Sequence, residues 1–457
     1  MIDSDSAAEA VVETLTFDTS MLASAIVLIV TFIAIFTEEI HGFHRAKVAM
    51  VGAGVMVFTG EAFGFYDQKL AVEIIDWNVI FLLGAMMTLV AIMIPTGGFQ
   101  ALAYYTAELS KGRLYVLLAM LGMSIAVLSL FLNNVTTVII FGPLIMLICQ
   151  ALRVSPVPFL MTTAILSNIG GVATLVGDPP NLMIGSAAGI DFTSFLVHMG
   201  GIVLVACLLT LACLSFLFRK RLNVIPEPLN VDLEGIIKSK RIWYSSLLVL
   251  GGMIVLFVFQ GSLGWDAWVI AALGMTVLLF IANKISIDDY IAQTELSLLV
   301  FLVALFVIIG GVEESHFLQY LGQFIEPFVK SDILVAAIVL MWVGAFFSAA
   351  IDNIPFTAAM IPIILGLQTQ GIDVTVLWWS LAIGVGLGGN ATHLGSAANV
   401  FVVSIAERAA SKEGKESLSI TPWIWFKNAT PATLVALFAS SVIMWIFFPF
   451  FSAPVHG

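Results

Sequence analysis

Apolar runs of about 20 residues recur from one end of this chain to the other, beginning at residues 20–37 and closing near 431–449. Each is long enough to cross a hydrocarbon core about 30 Å thick. Lipid offers no hydrogen bonds, so the backbone of a crossing must satisfy itself as a helix or a closed barrel. The runs show no polar/apolar alternation, which selects helices. The chain is 60% hydrophobic and 11% charged, where a soluble domain carries roughly 25% charged residues. The expected fold is an all-α polytopic membrane protein, multi-pass in the cell's inner (plasma) membrane and surrounded by lipid.

Other classes fall away on simple grounds. The acidic, polar start (Asp3, Asp5, Glu9, Glu13, Asp18) does not read as a cleavable signal peptide. Cys149, Cys207 and Cys213 lie in apolar stretches with the spacing of neither a zinc site nor a disulfide framework, and are read as core residues. No metal or cofactor is expected. A net charge of −12 argues against nucleic acid as a partner. The chain has no phosphate-binding loop and hence no ATPase activity of its own.

Charge asymmetry sets the topology. Residues 219–241 hold six of the 18 Lys and Arg (Arg219, Lys220, Arg221, Lys238, Lys240, Arg241), so this linker is placed in the cytoplasm. Arg45, Lys47, Lys111, Arg113, Arg153, Lys284, Arg408, Lys412 and Lys415 then fall inside, and Asp67, Glu73 and Asp76 fall outside. The map closes only if 114–152 and 333–367 enter and return as re-entrant hairpins. That makes about ten crossings plus two hairpins, with both termini outside, in place of a plain count of twelve helices. The expected divisions are a polar N-terminus (1–19), a first repeat (20–218, with a broken helix at 157–190), the linker (219–241) and a second repeat (242–457, with a broken helix at 376–408).

The repeats are visible in the residues. Asn133-Asn134-Val135-Thr136-Thr137 with Pro143 matches Asp352-Asn353-Ile354-Pro355-Phe356-Thr357 with Pro362. The stretch from Gly170-Gly171 through Thr174, Gly177-Asp178-Pro179-Pro180 to Asn181 matches Gly388-Gly389-Asn390 through Thr392, His393, Gly395 to Asn399. Both pairs are offset by about 219 residues, and on the charge map their hairpins open to opposite sides. Inverted repeats with broken helices are the architecture of many secondary transporters, with the substrate near mid-membrane. Gly-Gly and Pro-Pro interrupt the helices, and such backbone is tolerated at membrane depth only inside protein or along a polar cavity.

Two roles are open to each polar residue here. Asn133, Asn134, Thr136, Thr137, Asn168, Thr174, Asn181, Asn353, Thr357, Asn390, Thr392 and Asn399 are candidate binding groups, or else serve to satisfy broken backbone. Asp352 is a candidate proton or cation carrier, or a helix cap at a hairpin tip. Asp178 has the same two readings, and His393 is a titrating group or a satisfied core residue.

The strings around Asn168–Asn181, Asp352–Met360 and Gly388–Asn399 closely resemble the ion transporter superfamily, most of all its arsenite permease/P-protein branch with a citrate-transporter-like domain. The resemblance spans nearly the whole chain. It implies a homodimer, a fixed part and a moving part in each protomer, and coupling to an ion gradient or the membrane potential. The chain departs from the pattern at Asn133, where the family usually has Asp, at His393, and at Glu39, where a basic residue is expected. The leading expectation is a permease for arsenite or a related small inorganic oxyanion, with H⁺ or Na⁺ as coupling ion; a separate ATPase is a partner such a permease can take. The alternatives are a sodium/proton antiporter and an organic-acid carrier, the latter weakened by how few Lys or Arg lie at membrane depth. A channel is disfavoured by the repeat and by the lack of a carbonyl-ring filter, and a membrane enzyme by the lack of a catalytic set.

Overall fold

The computed structural model describes residues 16–228, 235–282, 294–414 and 416–454. Most of the expected outer N-terminus, together with Lys284 and Lys415, therefore lies outside the described residues. The described residues form helices and no strand. Leaving aside single turns, the first half contains α1 (Thr19–Phe36), α2 (Arg45–Phe63), α3 (Trp77–Met93), α4 (Gly98–Leu109), α5 (Leu114–Ser129), α6 (Asn134–Leu152), α7 (Val157–Gly171), α8 (Pro179–Ala188) and α9 (Phe192–Leu217). The second half contains α10 (Lys240–Val258), α11 (Ala267–Ile281), α12 (Leu296–Glu314), α13 (Phe317–Ser331), α14 (Ile333–Ala350), α15 (Asn353–Thr369), α16 (Thr375–Gly388), α17 (Ala397–Glu413) and α18 (Pro422–Ile446). With the six-residue helix Gln68–Glu73 also set aside, nine helices among the described residues are followed by nine in the same order. From the third pair to the eighth, the starting residues differ by 218 or 219, as in 77 against 296 and 179 against 397.

Local chemistry explains the boundaries. Asp18, Asp191 and Asp332 cap α1, α9 and α14 by accepting from backbone amides at Met21, Ser194 and Leu334 (2.8, 2.7 and 3.0 Å). The duplicated glycines mark where backbones touch. A Cβ at Gly177 or Gly395 would stand 2.7 or 2.6 Å from the carbonyl oxygen of Ser129 or Ser348, so no larger residue fits beside either hairpin tip.

Nine helices among the described residues are long and apolar enough to cross a membrane. The remaining apolar helices, α5, α7, α11, α15 and α16, run 14–17 residues. At 1.5 Å per residue these fall short of the hydrocarbon core; α5 and α15 each form one arm of a hairpin, α7 and α16 are the first halves of the broken helices, and α11 is the shorter repeat counterpart of α2. All of α7, and all of α16 except Thr375, is buried, whereas α10 turns Leu248, Val255 and Val258 outward. In a membrane an outward apolar face is met by lipid or another chain, while a helix buried all round is interior.

The helices pack as two bundles. In one, α2 lies on α1 and α12, while its repeat counterpart α11 lies on α10 and α3. In the other, α5 packs on α7 and α14 on α16. Across the repeats, α6 packs on α17 and α15 on α8. Each hairpin's second arm therefore rests on the half-helix of the opposite repeat, and this exchange brings four helix starts to one place. The linker crosses the ends of α6 and α3: Arg153 pairs with Glu227 at 2.8 Å, and the Lys238 amide donates to the Thr96 carbonyl at 2.8 Å.

Candidate functional site

The first residues of α6, α8, α15 and α17 converge on a small cavity lined by Asn133, Asn134, Asp178, Asp352, Asn353 and Ser396. Two further polar residues reach it from the other bundle: Arg45, at the start of α2, and Glu295, just before α12. It offers about 20 Å³ of space to water centres, roughly what one water requires.

At the second tip, Asp352 has two partners. Its Oδ1 accepts from the Ile354 amide at 3.2 Å, a helix cap, and its Oδ2 pairs with the Arg45 guanidinium. Asp352 is therefore not an isolated carboxylate. Asp178 behaves otherwise than as a cap: it is 3% exposed, makes no side-chain bond to its own helix, and accepts from Asn353 Nδ2 at 3.0 Å. Two carboxylates thus flank Asn353. At the first tip, Asn133 caps α6 by accepting from the Val135 amide at 2.8 Å, and Asn134 Nδ2 donates to Asn168 Oδ1 at 3.0 Å. Ser396, the counterpart of Asp178, donates to the same Asn168 oxygen at 3.0 Å. Glu295 accepts from Thr136 at 3.1 Å.

The structure separates the remaining candidates from the cavity and gives them other work. Asn181 Nδ2 donates to the carbonyls of Gly171 and Thr174, and Asn399 Nδ2 to those of Gly389 and Thr392, all at 2.9 Å. These four carbonyls are freed by the helix breaks, and a buried carbonyl without a partner is costly. Thr174 donates to Leu130 and Thr392 to Ala349, tying each broken loop to its own hairpin. Thr137 and Thr357 bond back to the carbonyls of Asn133 and Asn353. Asn168 Nδ2 donates to Asn390 and Asn399 across the repeats, at 2.8 and 3.1 Å. His393 is half-buried on the second broken loop and does not line the cavity.

Arg45, Glu295 and Ser396 were not among the residues singled out from sequence. Arg45 and Glu295 stand at ends of apolar runs, where a charge normally marks only the membrane boundary. The one available signal was for Ser396, which holds the repeat position of Asp178.

The lining of this cavity is polar and charged. Four helix starts aim their positive ends at it, and its lining side chains carry three carboxylates against one guanidinium.

Residues 26–384 match the family described as CitMHS, citrate transporter. A 46 kDa membrane protein of Mycobacterium leprae is 32% identical over 428 residues, covering 92% of this chain and 97% of that protein. The human P protein is 31% identical over 80% of this chain, which spans 54% of the P protein. Among solved structures, the YdaH transporter of Alcanivorax borkumensis shares the fold with a TM-score of 0.62 at 14% identity, covering 95% of this chain and 99% of that one. With its apolar helices and its pair of polar-tipped hairpins, the chain is a multi-pass membrane transporter and belongs to the CitMHS citrate transporter family.

Proposed function

We propose that this protein is a secondary active transporter that carries a small organic-acid anion together with cations, by alternating access in which its two bundles, built on inverted repeats 20–218 and 242–457, move against each other. The observation that carries this reading is the charge of the cavity. Arg45 and four helix starts suit a carboxylate guest, while Asp178, Glu295 and Asp352 leave the lining side chains at −2 when all are ionised. An anion enters such a site only in the company of protons or metal cations, which is coupling stated in electrostatic terms. Asn133, Asn134, Asn353, Ser396 and Arg45 are the binding groups in this reading. Asp178 and Asp352 are the coupling groups.

Arg45 at the cavity answers the objection that few Lys or Arg are placed to hold an organic acid, and the family's description as citrate transporters points the same way. Both move the choice away from an arsenite permease. On the charge map, the Arg45 and Glu295 ends face the cytoplasm, so this conformation corresponds to the inner side of the cycle. A cavity with room for one water must open before an organic acid fits, which requires the two bundles to part. Protomers embedded in lipid with outward apolar faces suit a homodimer.

The test is uptake into proteoliposomes of citrate, smaller dicarboxylates and arsenite, under imposed H⁺ or Na⁺ gradients. Saturable organic-acid uptake driven by a cation gradient is expected. The surplus of carboxylates favours a second reading, a sodium/proton antiporter. It would show itself as rapid Na⁺/H⁺ exchange by the wild type with no organic acid present.

A further inference from the structure

Arg45 belongs to one bundle and Asp352 to the other, and their ion pair crosses the junction at the cavity. Arg45 opens α2, which is packed between α1 and α12. Its guanidinium lies 5.3 Å from the centre of the Phe301 ring of α12, a residue fully buried. The cation is therefore held by the first bundle through packing on both sides and a cation–π contact. Asp352 stands at the tip of the hairpin of the second bundle, held by its cap to Ile354. Its counterpart in the first repeat is the neutral Asn133. Where α2 opens on Arg45, its repeat counterpart α11 opens on Ala267, so the pair has no twin among the described residues on the other side of the molecule. The other charged groups near Arg45 are Glu38, on the preceding turn, Glu295, before α12, and Asp178, across the cavity. His44 precedes it and caps α2 through the Ala46 amide.

We infer that Arg45 is a tethered counter-ion: it neutralises Asp352 while the site is empty, holds the bundles together in that state, and is displaced by the monovalent cation that loads Asp352. The physical reason is the cost of an unpaired charge. If the second bundle moves, Asp352 leaves a guanidinium that cannot follow, and a carboxylate uncompensated in a low-dielectric region is strongly disfavoured. An arriving Na⁺ or proton replaces the guanidinium at Asp352 and can travel with it. Arg45 stays behind, and its charge is balanced by Glu295 and Glu38. Unloaded movement is thereby suppressed and the carrier is kept from leaking. This rests on the cation-coupled reading above and adds to it the residue that enforces coupling.

The experiment uses the full-length protein in liposomes without any organic acid. Proton entry is read with an internal pH dye in Na⁺-free buffer, and Na⁺ entry with ²²Na at fixed pH; the two arms identify the cation. The wild type is expected to be tight in both. Arg45→Gln should raise substrate-free flux of one cation by about tenfold or more, since no guanidinium then competes with the cation for Asp352 or holds the bundles together. The double variant Arg45→Gln/Asp352→Asn should return to the wild-type level, because no carboxylate remains to be loaded. An Arg45→Gln variant that reaches the membrane and is as tight as wild type overturns the inference. So does a leak that persists in the double variant. Should Arg45→Gln fail to reach the membrane, recovery of membrane protein in the double variant supports the pairing, and failure to recover overturns it. Rapid wild-type exchange in the absence of organic acid would instead overturn the organic-acid reading, and it can be told apart because it precedes any substitution.

Discussion

At the first hairpin tip, Asn133 caps α6 and Asn134 donates to the neutral Asn168, which Ser396 also contacts. At the second, Asp352 caps α15 and pairs with Arg45, while Asn353 donates to the buried carboxylate of Asp178. The two tips share register, cap geometry and the following asparagine, yet the first tip is itself neutral, with Glu295 reaching α6 through Thr136, while the second gathers both aspartates. Each acid comes from a different repeat and from a non-equivalent position, so duplication alone would not have placed them together. The exchange of α15 onto α8 does so. Duplicated sequence therefore built two matching frames, and substitutions at two positions divided their chemistry.

Five substitutions test that comparison, beginning with the largest effect. Asp178→Asn keeps the shape of the acid pole and can still accept from Asn353, but removes the charge. Coupled uptake should fall by about 100-fold, equivalent to roughly 2.7 kcal/mol, with membrane levels of the protein unchanged. Uptake near wild type would make Asp178 a structural acceptor only. Asn133→Asp gives both tips a carboxylate while preserving the cap to Val135. One more like charge facing an anionic guest should raise its KM by about tenfold, or about 1.4 kcal/mol. An unchanged KM would mean that the neutral pole never meets the anion.

Asn181→Ala and Asn399→Ala probe the frame, where the repeats are equivalent. Each strips the partner from two buried carbonyls, at about 1–3 kcal/mol per variant. Both should lose thermal stability, read as Tm in detergent, with KM unaltered in the protein that folds, and Asn399→Ala should lose more, because Asn399 also accepts from Asn168 Nδ2 at 3.1 Å. A larger loss in Asn181→Ala would break that picture of the frame. His393→Ala is the smallest: the side chain lies outside the cavity, so uptake should stay within about twofold, the size of a roughly 0.5 kcal/mol surface effect. A larger loss would bring His393 back to the site.

Much of the frame was legible before any fold was known. The Gly-Gly and Pro-Pro breaks, the polar motifs at 133 and 352, and their 219-residue offset are local or repetitive signals, and they reappear as the four converging helix starts. Asn134, Asn353, Asp178 and Asp352 were named from sequence and line the cavity. Asn181, Asn399, Thr174 and Thr392 were named by the same logic and do not line it. An amide that binds a guest and one that satisfies a broken helix obey the same local rule, so spacing could not sort them.

Apolar run length, helix breaks and a 219-residue offset depend on neighbours along the chain or on self-similarity, and these determined the class, the helices and the duplicated motifs. The charge balance of the site depends on partners far apart in sequence: Arg45 and Asp352 are 307 positions apart, Thr136 and Glu295 159. A charge at the end of an apolar run looks the same whether it faces water or a substrate. Only the packing of one bundle against the other decided that Arg45 and Glu295 face the cavity, because electrostatic pairing acts through space and not along the chain.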